Sequence, residues 1–286
     1  MRKIMILWIA IPFFLMSCGD DGLPEGYTVP EPRILAVRTE DPEVRPGDSV
    51  SMRMLMAGKK INQMMSNEVE WFLENDPPVS LGTSVYNQDF ITEIPMGILS
   101  EDEDLLDVSI IAEIVVDNKT FFARKQMRIT HDPVAKNPVI TEIEVRYQIG
   151  DDRISEFIGN GDVIFVGDQI GEVSFTTHTG ELAEGENERL IYRWYAADAK
   201  QGEGRIYAYK DEDITEKLLG EGAEPSESGR SVVFSLKGDE NEGNLESGIY
   251  DVYLVVRDNA ADSQSWEEDR FGTDFIWFTL CVNKDC

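Results

Sequence analysis

From Arg33 onward, apolar and polar residues alternate in short runs separated by turn residues, the two-residue period of strands with one buried face. In SVSMRMLMA, Val50, Met52, Met54 and Met56 share a face, and in DVSIIAEIVV so do Val108, Ile110, Ala112, Ile114 and Val116. RPGD before the first run, ENDPP after EVEWFL and DNK between two long runs are turn or hairpin signals. Residues 33–132 therefore read as an antiparallel all-β unit, with the methionine stripe as adaptable core filler. HDPVAKNP, carrying Pro133 and Pro138, interrupts the pattern, so 133–138 is expected to be a linker. VITEIEVRY, DVIFVG, EVSFTTHT, RLIYRWYAA, RIYAYK, SVVFSL, IYDVYLVVRD and TDFIWFTLCV then predict a second antiparallel unit over 139–286. Only EDITEKLLGEG, through Leu218 and Leu219, competes as a short helix.

The chain opens differently. Arg2 and Lys3 precede an apolar run from Ile4 to Leu15, Ser17 is small, and Cys18 comes next. That order reads as a signal peptide over 1–17. The run is shorter than the roughly 18 to 20 apolar residues of a spanning helix, and Pro12 would break a core helix. GDDGLPEGYTVPEP is acidic, rich in Gly and Pro and aperiodic, so 18–32 is expected to be a flexible acidic tether.

Leu15, Met16, Ser17 and Cys18 resemble the lipobox of bacterial lipoproteins: an aliphatic residue, a tolerant position, a small residue and cysteine. Met16 is bulkier than the usual occupant. The resemblance implies that Cys18 receives a thioether-linked diacylglycerol, becomes the first residue and is acylated on its new amine by a palmitate-type chain. Several acyl chains suffice for stable anchoring without a spanning helix, so the lipid bilayer is the first expected partner. Of three cysteines, lipidation of Cys18 leaves Cys281 and Cys286, an even pair expected to close a small disulfide ring at the chain end. His131 and His178 are the sole histidines, too few to make a zinc site with that pair.

Charge narrows the partners. Removing 1–17 takes two of the 26 basic residues and none of the 55 acidic ones, leaving a formal charge of −31. Nucleic acid and anionic head groups would be repelled, although part of this charge also serves solubility.

Two landmarks in the second unit resemble immunoglobulin-like or PKD-like sandwiches. Trp194 stands mid-strand in IYRWYAA, where such folds place a core tryptophan, and Glu246, Gly248, Tyr250 and Val252 follow a D-x-G-x-Y-x-C corner with glutamate for aspartate and valine for cysteine. The resemblance implies that Tyr250 is structural and that no inter-sheet disulfide exists. Trp71 in WFLEND is a fainter counterpart, in a unit near the roughly 100-residue size of such a sandwich. From the lipobox through PRILAV, RPGDSV and VVRD, the whole chain resembles the Ig-like lipoproteins of Gram-negative envelopes. That resemblance implies a fold and a location: two tandem Ig-like β-sandwiches behind a signal peptide and tether, anchored in the cell envelope, with the outer membrane as the expected site and the inner membrane and the leaflet left open.

Catalytic motifs are absent from the sequence: no G-x-S-x-G, H-E-x-x-H, P-loop or dinucleotide fingerprint occurs. In KGDENEGNLE, Asp239, Asn241 and Asn244 offer oxygen ligands, but Gly243 and Asn244 reverse the EF-hand order and Tyr250 stands where its glutamate belongs. A plain turn and calcium held between sandwich loops remain the two readings; no other cofactor is expected. Alternation puts Tyr192 and Trp194 on one face and Tyr195 on the other, so packing rather than sugar stacking is expected of them. The acidic loop DNAADSQSWEEDRFG, with Asp262, Trp266 and Arg270, is the candidate partner-binding segment. There Trp266 is either an apolar peg or a partner anchor. The expected function is a non-enzymatic binding or structural module facing another envelope protein or a glycan. The alternative is a calcium-dependent adhesin-like or glycan-binding lipoprotein.

Overall fold

The computed structural model describes residues 33–57, 67–74, 77–86, 88–100, 103–180, 188–198, 206–209, 230–236, 247–260 and 272–283. Its first part contains β1 (Arg33–Thr39), β2 (Glu43–Val44), β3 (Ser49–Ala57), β4 (Glu68–Leu73), β5 (Val79–Val85), β6 (Phe90–Glu93), β7 (Leu105–Val116) and β8 (Lys119–Thr130). They form two sheets, β1-β3-β6 and β2-β8-β7-β4-β5. The second part contains β9 (Ile140–Ile149), β10 (Asp152–Ile158), β11 (Val163–Val166), β12 (Glu172–Thr179), β13 (Glu188–Asp198), β14 (Ile206–Tyr209), β15 (Ser231–Ser235), β16 (Gly248–Ala260) and β17 (Thr273–Val282). Its sheets are β10-β9-β12-β15 and β11-β17-β16-β13-β14. Strand for strand the second repeats the first, with the hairpin strand β10 added. Each pair of sheets encloses its own apolar core, so the protein is all-β and consists of two Ig-like sandwiches in series.

The cores obey the alternation. Val50, Met52, Met54 and Met56 from β3 meet Val108, Ile110, Ala112, Ile114 and Val116 from β7 inside the first sandwich. Trp71 on β4 stacks on Phe90 at 5.5 Å between ring centroids and donates its indole N–H to Ser84 Oγ at 2.9 Å. Gly82 pairs with Trp71 at φ 128°, and a Cβ there would come within 3.2 Å of the Phe90 ring. Trp194 takes the equivalent place on β13, buried with Phe175 and Phe278. Tyr192 and Tyr250 are buried in the same core, while Tyr195 points to the opposite face. The turn signals are met by left-handed backbone: Gly47 of RPGD has φ 83°, and Asp117 and Asn118, at φ 51° and 62°, form the two-residue loop between β7 and β8.

Pairing departs from the expected antiparallel pattern at two edges. β2 runs parallel to β8, and β11 parallel to β17. In both sandwiches the chain crosses between sheets beside the last strand, covering an edge that would otherwise present unpaired N–H and C=O groups.

The sandwiches are packed against each other along their sheet faces. A third apolar cluster joins Leu35, Ala36, Leu55 and Ala57 of β1 and β3 to Ala197, Tyr253 and Val255 of β13 and β16. A register shift between Ile34 and Ala36 turns both Leu35 and Ala36 into this contact. Lys125 Nζ donates to Thr273 Oγ1 at 2.8 Å, a buried bond across the junction.

The segment 133–138, expected from sequence to be a linker, is bonded to both sandwiches. Asn137 donates its side-chain amide to the carbonyls of Thr39 and Glu40, at 2.7 and 2.6 Å, and accepts the Thr273 N–H at 2.9 Å. The Val134 and Ala135 amides donate to the buried carboxylate of Glu43 at 2.8 and 2.9 Å. Gly272 permits this approach, because a Cβ there would meet Asn137 Cα at 2.5 Å.

Candidate functional site

Beside the apolar contact the two sandwiches leave a cleft of about 510 Å³. Arg38, Arg53 and Tyr86 come from the first sandwich, and Asn160, Asp251, Tyr253, Asp274 and Trp277 from the second. Strand register sets this wall. On the outer face of β16, Asp251 stands opposite Thr279 and Tyr253 opposite Trp277, so Asp251 and Trp277 are diagonal neighbours. The turn from Gly159 to Asp162 lies against β17, where Asn160 Oδ1 accepts the Trp277 N–H at 3.0 Å.

The charges are unevenly matched. Arg38 Nη1 lies 2.6 Å from Asp274 Oδ1, with its guanidinium carbon 5.5 Å from the Phe275 ring centroid, while Asp274 Oδ2 accepts the Ile140 N–H. Arg53 Nε is 4.0 Å from Asp89. Asp251 accepts one hydrogen bond, from Thr279 Oγ1 at 3.3 Å, and no ion pair reaches it among the described residues. Burial raises its carboxyl above the ordinary range, with the Thr279 bond opposing. Burial likewise pushes the Tyr253 phenol well up, helped by the nearby Asp251 charge, and raises Tyr86, whose oxygen accepts the Met56 N–H at 3.2 Å.

A second polar cluster sits on the outer face of β9, β10 and β12. Arg146 grips Glu144 with two bonds, 2.8 and 2.7 Å, and Ser155 donates to Glu144 at 2.6 Å. His178 Nε2 is 3.6 Å from the same carboxylate and has no hydrogen-bond partner among the described residues. Ser155 thus serves the carboxylate instead of the imidazole, and the nucleophile–base contact of a hydrolase is not made here. The Arg146 bonds first, then Ser155, hold Glu144 down at about 2 against an ordinary 4.5, with burial opposing.

This sets a pH dependence. The folded-state pKa is depressed, so the stabilisation is complete above about 4.5 and is lost as pH falls from there towards about 2. Thermal melts between pH 6 and about 2.5 are expected to show a smaller acid-side decline in Glu144→Gln than in the parent. Parallel curves would contradict this role.

Most residues singled out from the sequence lie outside the described residues: Cys18, Asp239, Asn241, Asn244, Asp262, Trp266, Arg270, Cys286, and EDITEKLLGEG. Cys281 is buried near the end of β17. Among the described residues no three His, Cys, Asp or Glu side chains are grouped to hold a metal ion, and no helix is long and apolar enough to cross a membrane. The cleft itself escaped sequence reading. Its signal was the failure of alternation in Met54–Ala57 and Val252–Val256, where consecutive residues are all buried, as in strands covered on both faces.

The fold defines the class: a tandem Ig-like β-sandwich protein. No family model matches the chain, and no curated protein matches it. Among solved structures, it aligns over 89% of its length with all of the three N-terminal domains of the bacteriophage RB49 Highly Immunogenic Outer Capsid protein, at 9% identity and a TM-score of 0.28. A chimeric titin Z1Z2 aligns with 89% of this chain and 97% of its own, at 12% identity and 0.23. Zebrafish RET cadherin-like domains 1 to 4 align with 84% of this chain and 46% of theirs, at 9% and 0.21. Likenesses this remote carry no argument; the class rests on the sheets and cores above.

Proposed function

We propose that this chain is a lipid-anchored, non-enzymatic binding module of the bacterial cell envelope. The observation that carries the binding part is the cleft between two docked sandwiches, a concave site walled mostly by strands. The anchoring part rests on sequence, on Cys18 at the end of Leu15-Met16-Ser17 behind a short apolar run. Acyl chains on Cys18 hold the protein at the outer membrane, and 18–32 spaces the first sandwich from the bilayer. Cys281 and Cys286 form a disulfide at the chain end in this oxidising compartment. Another envelope protein or a glycan is the partner.

The reading is tested by metabolic labelling with radioactive palmitate and membrane fractionation. The wild-type protein is expected to take up label and sediment with membranes. Cys18→Ala is expected to lose the label, and its membrane association is then limited to uncleaved precursor. An unlabelled wild-type protein would remove the anchor from this account.

A further inference from the structure

We propose that the cleft between the sandwiches binds a primary ammonium group, the side chain of a lysine on a partner polypeptide, with Asp251 as its counter-ion. This deepens the binding-module reading and rests on it, but is independent of the lipid anchor. Among the described residues Asp251 is the charge in the cleft left without a counter-ion: Arg38 is taken by Asp274 and Arg53 lies by Asp89. Its position is built, because the β16–β17 register holds it beside Thr279, diagonal to Trp277 and two residues from Tyr253. A cation there gains a carboxylate in a cleft that Trp277 and Tyr253 also line, and such a charge pair is worth most where water is partly excluded.

The geometry favours an ammonium over a guanidinium. Thr279 already bonds Asp251 Oδ1, so the two carboxylate oxygens are unequally available, which suits a compact point charge better than a planar fork that wants two equivalent acceptors. A formal charge of −29 on the chain draws cations towards the site and repels anionic ligands. The raised Asp251 carboxyl fits a group that lacks its cation, since burial disfavours its ionised form until a positive charge arrives.

The test uses the full-length protein in detergent with Nα-acetyl-lysine amide as probe and Nα-acetyl-norleucine amide as the uncharged comparison. Ligand-observed saturation-transfer NMR is expected to show transfer to the lysine side-chain methylenes and none to norleucine. Asp251→Asn is expected to weaken lysine binding on the order of tenfold or more, while Asp168→Asn, at an exposed acid in a turn outside the cleft lining, leaves it unchanged. Because burial makes the ionised carboxylate costly, Asp251→Asn should melt no lower than the parent, which separates lost binding from unfolding. No transfer from the wild-type protein, equal transfer to norleucine, or equal binding by Asp251→Asn would each overturn the proposal. So would an equal loss in Asp168→Asn, which would mean the overall charge and not the cleft attracts the probe. None of these outcomes touches palmitate labelling, so the cleft and the anchor fail separately.

Discussion

Replacing Trp194 with alanine is expected to destabilise the protein by about 3 to 5 kcal/mol, the range for removing a fully buried large aromatic when neighbours cannot close the void. Trp194 is 1% exposed and packs beside Phe175, ring centroids 6.1 Å apart, between two sheets whose strands limit such closure. Denaturant unfolding tracked by far-UV circular dichroism measures the loss. The docked interface adds a second expectation. Leu35, Ala36, Leu55 and Ala57 lose their cover when the second sandwich opens, so the variant should shift one common transition. A variant as stable as the parent would mean that Trp194 is not a core residue. A separate transition confined to the second sandwich would mean that the two cores are not coupled.

Ala197→Glu strikes the junction directly. Ala197 is 2% exposed on the outer face of β13, within the apolar cluster that joins the sandwiches. A carboxylate there would be taken out of water among apolar side chains and would lose hydration worth several kcal/mol. The sandwiches should separate before that loss is borne, leaving each core folded. The expected result is two unfolding transitions in place of one and a larger radius of gyration by small-angle X-ray scattering. An unchanged radius with a single transition would contradict face-to-face docking.

The two sandwiches were legible because alternation and turn chemistry are local. Val50 to Met56 and Val108 to Val116 show period two, and the DNK loop between β7 and β8 needs the left-handed backbone that Asp and Asn tolerate. The parallel edges were not legible, since β2 is two residues long and its pairing with β8 is set by where the chain crosses between sheets. The cleft was hidden for a related reason. Asp251 sits in a strand beside a buried tyrosine, and its value as a site depends on which face of another sandwich covers it. Asn137 likewise looks like any linker polar residue. Its three bonds exist only because Thr39, Glu40 and Thr273 converge there, contacts 98, 97 and 136 residues apart in sequence. Long-range docking leaves only a broken alternation in the strands it covers, as in Met54–Ala57.

The chemistry proposed at Cys18 decides whether the two-sandwich body is a surface-bound module. The direct measurement is mass spectrometry of the N-terminal peptide from protein purified out of the membranes of Gram-negative cells expressing the full chain. The expected peptide begins at Cys18 and carries the mass of a diacylglyceryl thioether and an amide-linked acyl chain. A peptide beginning elsewhere, or a Cys18 found as an unmodified thiol, would contradict it.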